Sequence, residues 1–167
     1  MSTIASTSPT TSSNSLLRLT LIGGFIAGLL HFVIIQGIVF GLILKTPMIS
    51  ALQYAASGIL GEAAFAGGLA TALFGLVLDF IMITIMAGVF IFSADRIPLL
   101  RRHVIIGSLL YGFGVFIVMN FIVLPLSAAP PLPDPPTWLF FEAILEHILL
   151  IGLPLGILVQ RNANTNQ

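Results

Sequence analysis

The chain has 167 residues, of which 57% are hydrophobic and only 7% are charged. Soluble domains carry about 25% charged residues, so this composition, with a mean hydropathy of +1.12, excludes a water-soluble fold and indicates a membrane protein. The zero net charge gives no reason to expect a nucleic-acid partner, and the lack of cysteine excludes disulfides and a thiol nucleophile.

The chain begins with a polar tail and a first membrane span. Residues 1–15 are rich in Ser and Thr, carry no charged side chain and predict a disordered tail. Residues 16–44 predict the first span, which is too long for the apolar part of a signal peptide. Residues 47–60, which begin with Pro47, predict a helix too short to cross the bilayer. We therefore expect an interfacial or re-entrant helix on the outer side.

The rest of the chain contains room for three more spans. The predicted spans are residues 63–92, 103–126 and 137–159. The Pro-rich loop 128–136 (AAPPLPDPP) cannot be helical inside, and residues 162–167 predict a polar C-terminal tail. The predicted fold is therefore a single all-α membrane domain, residues 16–161, with four transmembrane helices in a bundle plus the short outer helix.

Basic residues are distributed unevenly about these spans. With four spans, both termini and the loop between the second and third spans share one side of the membrane. That side carries Arg18, Arg96, Arg101, Arg102 and Arg161, and the other carries Lys45. The positive-inside rule then predicts cytoplasmic termini, and Trp138 suits an aromatic belt on the outer side.

Titratable side chains lie near the middle of three predicted spans. They are His31, Asp79 and the adjacent pair Glu146 and His147. A charge at the bilayer centre costs about 3 kcal/mol on insertion scales, so such residues usually face a partner, a cavity or a ligand. These four residues therefore form the predicted midplane polar site.

Stripes of small residues indicate where His31 and Asp79 point. The stripes are Gly24 and Gly28 in the first span, and Gly68, Ala72 and Gly75 in the second. Because small residues let another helix approach closely, we expect both polar side chains to point into the protein. We predict that they face each other within hydrogen-bond or single-water reach, as a packing contact or as a titratable pair.

The remaining polar residues do not converge so simply. Glu142 and Glu146 are one turn apart, but His147 is rotated by about 100° from Glu146. An ideal helix cannot direct both the glutamates and His147 to one point. We therefore expect either the glutamates or His147 to face the bundle, and the other to face an oligomer partner. Tyr111 and Asn120 lie on opposite faces of the third span, and at most one can join the site.

Three classes of function stay open. The leading hypothesis is a structural or partner-binding membrane subunit that contacts the lipid bilayer and either a second copy or another membrane protein. The second is a small-solute or proton-coupled carrier or channel with a titratable His31–Asp79 pair. The third is a haem- or metal-binding subunit using His31 and His147. Paired ligand spacings such as HxxxH are lacking, so we predict no cofactor, no metal ligand and no catalytic residue, and an enzyme is not favoured.

Several motifs support a family resemblance. They are QYAASGILG at 53–61, AFAGG at 64–68, PLL at 98–100 and VLPLS at 123–127, with Gly107, Tyr111-Gly112, Met119-Asn120, His147 and Gly152-Leu153-Pro154. Together they resemble a family of short bacterial four-helix inner-membrane proteins of unknown function. The resemblance implies four spans and a bacterial inner membrane. That family tends to have an acidic residue in the first span and a histidine at the place of Asp79, the reverse of the order here.

Overall fold

The computed structural model describes residues 13–132 and 135–165, in which helices are joined by short loops and there is no strand. The main helices are α1 (Ser13–Ile43), α2 (Met48–Leu60), α3 (Gly68–Arg96), α4 (Val104–Leu126) and α5 (Trp138–Thr165), and a helix of five residues, Pro98–Arg102, lies between α3 and α4. All except α2 are long and apolar enough to cross a membrane. The prediction of an all-helical chain with four candidate spans is confirmed.

The ends of the predicted tails belong to helices. Residues 13–15 form the start of α1, and residues 162–165 form the end of α5. The other parts of the predicted tails, residues 1–12 and 166–167, lie outside the described residues, as do residues 133–134 of the Pro-rich loop.

The long helices form two close pairs. α1 packs along α3 and α4 packs along α5, while α5 also contacts α1 and α3 and so joins the pairs. Buried apolar side chains such as Phe90, Ile151 and Leu155 form the core between them. Large apolar side chains such as Leu110 and Phe25 are exposed on the outside, which is the pattern expected where lipid rather than water surrounds a bundle.

Glycine and other small residues set the separation within each pair. Gly24 on α1 lies against Thr84 of α3, and Gly112 on α4 lies against the backbone of His147 on α5. A Cβ at either glycine would overlap these neighbours, so the helix backbones approach as closely as small residues allow.

The short helix α2 packs against the first turns of α3. Gly75 of α3 lies against the α2 backbone, and the Gln53 side-chain amide donates a 2.9 Å hydrogen bond to the carbonyl of Gly68. Its C-terminal end meets the segment after α4, where the Ala128 amide donates to the Gly58 carbonyl at 2.9 Å. The predicted short helix is confirmed, and its depth in the membrane stays a prediction.

The predicted start of the second span at residue 63 is wrong. Residues Gly61–Ala66 form a 3₁₀ turn, and α3 begins at Gly68, whose φ of +57° lies in the left-handed region that glycine adopts readily. Residues 63–67 are as apolar as the helix that follows, so hydropathy alone does not mark the break.

Three of the long helices change their winding part way. π-helical segments run over Phe32–Ile43 in α1, Met119–Val123 in α4 and His147–Gly152 in α5. In a π segment each amide bonds to the carbonyl five residues earlier, which widens the turn, and such segments are frequent at functional sites. The first follows His31 directly and the third begins at His147, so the winding changes beside the predicted midplane residues.

Candidate functional site

His31 lies at the centre of a cluster built from three helices. Its Nδ1 is 2.9 Å from Oδ2 of Asp79 on α3, and its Nε2 is 3.4 Å from Oε1 of Glu146 on α5. The side chain of His31 is 11% exposed, and those of Asp79 and Glu146 are 17% and 11% exposed. The structure therefore brings a buried imidazole between two largely buried carboxylates.

The geometry of these contacts favours a cationic imidazole. Carboxylate oxygens lie 2.9 and 3.4 Å from the two ring nitrogens of His31, so a positive charge on the ring is attracted to both. The short approach to Asp79 is an ion contact without hydrogen-bond alignment. Nδ1 of His31 and Oδ2 of Asp79 are both buried with no hydrogen-bond partner among the described residues.

His147 joins the same cluster through Glu146. Its Nδ1 is 3.5 Å from Oε1 of Glu146 and 2.7 Å from the carbonyl oxygen of Ala143. Because a carbonyl oxygen only accepts, this short contact requires a hydrogen on Nδ1. The His147 ring also packs edge-on against Phe116, with 5.9 Å between ring centroids.

Glu146 and His147 both belong to the cluster, so the expectation that one of them faces an oligomer partner does not fit these contacts. The expectation assumed an ideal α-helix, but π winding begins at His147. The glutamate side chain is also long enough to reach across the angle between the two positions. Its Oε1 contacts both His31 and His147.

Glu142 lies at the edge of the cluster. It is partly buried, one turn before Glu146, and within electrostatic range of both Glu146 and His31. Its place toward the Trp138 end of α5 puts a further carboxylate between the cluster and the predicted outer side.

Tyr111 and Asn120 do not join the cluster. The Tyr111 hydroxyl donates a 2.7 Å hydrogen bond to the Met86 carbonyl and so ties α4 to α3. The Asn120 amide donates to the Phe116 carbonyl of its own helix at 3.0 Å. Both polar groups are accounted for by helix packing, and neither bonds to the cluster in the part of the chain that the structure describes.

Gln36 is a polar residue that the sequence analysis missed. It is buried on α1, about one turn beyond His31, and its Oε1 has no hydrogen-bond partner among the described residues. The sequence signal was an amide side chain inside a strongly apolar span. Burying an unpaired amide costs free energy, as burying a charge does, although the cost is smaller.

A metal centre finds no support in this arrangement. Within residues 13–132 and 135–165, no group of three or more His, Asp or Glu side chains is placed to hold a metal ion. Both histidines of the haem hypothesis contact the same carboxylate, that of Glu146. The haem and metal hypotheses stay untested.

Comparison of the chain with known protein families, characterised proteins and solved structures finds no match. The resemblance to a bacterial membrane-protein family therefore stays a hypothesis. Function is inferred from the cluster itself.

Proposed function

We propose that this protein is a proton-coupled membrane carrier or channel in which Asp79, His31, Glu146 and His147 bind and release protons. The observation that supports this most is the contact of His31 with carboxylates from two other helices, at 2.9 and 3.4 Å. Ionisable groups inside a membrane are costly, and chains of Asp, Glu and His commonly form proton relays there.

The order of groups suits proton transfer. An imidazole lies between two carboxylates from Asp79 through His31 to Glu146, with nitrogen–oxygen distances of 2.9 and 3.4 Å. His147, whose Nδ1 hydrogen is directed to the Ala143 carbonyl, lies 3.5 Å from the same Glu146 oxygen. When neutral His31 carries its hydrogen on Nδ1, Nε2 takes a proton from protonated Glu146, and the imidazolium so formed gives its Nδ1 proton to Asp79. An imidazole can relay in this way because its nitrogens exchange roles between tautomers.

Proton uptake changes the net charge of the cluster and can therefore change the arrangement of the helices. With both carboxylates ionised and His31 cationic, the cluster has one uncompensated negative charge, and uptake of one proton neutralises it. Electrostatic energies are large in a buried site, so the two forms favour different arrangements of α1, α3 and α5. Among neighbouring titratable groups, Glu142 faces the cluster, and Tyr111 on α4 is bonded to Met86 instead.

The proposal includes a location. The family resemblance implies a bacterial inner membrane. We propose that both termini lie in the cytoplasm, because the ends of the long helices that carry the arginines lie together and Lys45 lies at the other end. Reporter fusions at the C-terminus and in the loop 128–136 should give opposite readings, and a periplasmic C-terminus would refute this orientation.

Proton binding can be measured directly in the purified, reconstituted protein. Infrared difference spectra across a pH step should contain a carboxyl band that Asp79→Asn or Glu146→Gln removes. The matched control is Glu62→Gln, which changes an exposed carboxylate outside the cluster and should leave that band intact. A band unaffected by either cluster substitution would refute a proton-binding site.

Proton movement is tested in liposomes that contain a pH-sensitive dye. Under an imposed membrane potential, the wild-type protein should acidify the lumen faster than empty liposomes do. We expect His31→Gln to lower the rate by at least about tenfold, the scale of losing one proton-transfer group. The structural-subunit hypothesis predicts instead that such substitutions alter stability and leave proton binding and flux unchanged.

A further inference from the structure

A cleft of about 610 Å³ lies at the end of the bundle that carries the arginines. It is lined by the start of α1, the end of α3, the residues from Arg101 into the start of α4, and the end of α5. Its floor includes Leu16, Ile91 and Val104, which are buried and belong to the apolar core. The cleft therefore opens directly onto apolar packing.

The rim of the cleft is cationic. Arg101, Arg102 and His103 line it together with one acid, Asp95. Arg101 lies 3.4 Å from the Asp95 carboxylate and so compensates its charge. The Arg102 and His103 side chains are exposed and have no ion pair or side-chain hydrogen bond within the described part of the chain. The rim thus has an uncompensated positive charge at Arg102.

The backbone adds donors at the same place. α4 begins at Val104 with His103 as its N-cap, and no side chain caps it. The first amides of a helix have no carbonyl partner within the helix and favour an anion. Val104, Ile105 and Ile106 all line the cleft, so the first turn of α4 lies beside Arg102.

We propose that this cleft binds one anionic phospholipid. A cationic rim over an apolar floor fits an amphiphile with a negative head group, whereas free phosphate would use the rim alone. The phosphate lies against Arg102 and His103, and an acyl chain lies along Leu16 and Val159. Basic side chains at the end of a membrane span attract anionic lipids by about 1 kcal/mol each, or about fivefold in affinity. This site is remote from the His31 cluster and does not depend on proton transfer.

The test uses the full chain purified in a neutral detergent and native mass spectrometry of bound lipid. Phosphatidylglycerol should be retained at least about fivefold more than phosphatidylcholine with the same acyl chains. Arg102→Ala should reduce that retention about fivefold. Equal retention of the two lipids by the wild-type protein would refute the proposal.

Two arginines provide matched controls. Arg18 and Arg161 lie at the same end of the bundle and are exposed, but they do not line the cleft. Arg18→Ala and Arg161→Ala should therefore leave retention of phosphatidylglycerol unchanged. If these variants lose as much lipid as Arg102→Ala, binding reflects diffuse surface charge and the cleft is not the site.

A competition experiment separates lipid from free phosphate. Glycerol phosphate and inorganic phosphate carry the anion without acyl chains, so neither should displace bound phosphatidylglycerol when present at the same concentration as the lipid. Displacement by either compound would show that the apolar floor contributes nothing, and would overturn the assignment to a phospholipid.

Discussion

His31→Gln should destabilise the protein strongly because it removes the cation between two buried carboxylates. At separations of 2.9 and 3.4 Å, each ion pair attracts by about 5 kcal/mol at an effective dielectric constant of about 20. The cost of removing the charges from water offsets much of this attraction. Loss of one partner of a buried pair still costs about 3–5 kcal/mol, so we expect the free energy of unfolding to fall by about 3 kcal/mol or more.

Replacing either carboxylate should destabilise the protein less than replacing His31, because the other carboxylate still pairs with the imidazole. Asp79→Asn leaves the His31–Glu146 contact, and Glu146→Gln leaves the His31–Asp79 contact. Each substitution also removes the uncompensated negative charge of the cluster. We expect each to cost about 1 kcal/mol or less, the scale of an ordinary polar contact between membrane helices.

The interaction is measured by a cycle of variants. Unfolding in mixed detergent micelles, followed by the fluorescence of the single tryptophan, Trp138, gives the cost of His31→Gln in four backgrounds. That cost should fall from about 3 kcal/mol in the wild type to about 1 kcal/mol in the Asp79→Asn/Glu146→Gln background, where no carboxylate is left unpaired. The same cost in every background, within about 0.5 kcal/mol, would refute the cluster as an interacting unit.

Other predictions concern packing around the cluster. Gly112→Ala should destabilise the protein by about 2 kcal/mol, because the new Cβ meets the α5 backbone. The control is Gly114→Ala on the same helix, which should not destabilise because no atom lies within 4 Å of the new Cβ. Equal unfolding midpoints for the two variants would contradict this packing. Tyr111→Phe removes a 2.7 Å bond to α3 and should cost about 1 kcal/mol without changing the infrared carboxyl band. Cysteine at Ile59, which is 59% exposed, should react with a membrane-impermeant thiol reagent, and cysteine at Ala56, which is 0% exposed, should not.

Hydropathy predicted the four long apolar helices well, because a helix that can cross a bilayer must be long and nearly uncharged. The desolvation argument likewise identified His31, Asp79 and Glu146, which meet in the structure. Both predictions depend on the cost of polar groups in an apolar medium, which follows from residue type and position alone.

Local backbone geometry was harder to predict. His147 was predicted as a midplane residue, but it was assigned to a different face of the helix from Glu146. That assignment used α-helical spacing, which fails where π winding begins, and no residue type marks a π segment. The start of α3 was misplaced because the 3₁₀ turn before it is also apolar. The break between the turn and the helix is made by the positive φ of Gly68, which hydropathy does not reveal. Tyr111 was treated as a possible site residue because its acceptor, the Met86 carbonyl, belongs to another helix and has no sequence signature.

The π segments have a mechanical consequence for the bundle. A π segment has more residues in each turn than an α-helix, and two of these segments begin beside His31 and at His147. Returning such a segment to α winding would therefore rotate the part of the helix beyond it about the helix axis. In α1 the half before His31 is held against α3 at Gly24 and Gly28, so the half beyond it would turn. The cluster thus lies where α1 passes from the part that packs on α3 to a part that packs on α2 and would turn with a change of winding.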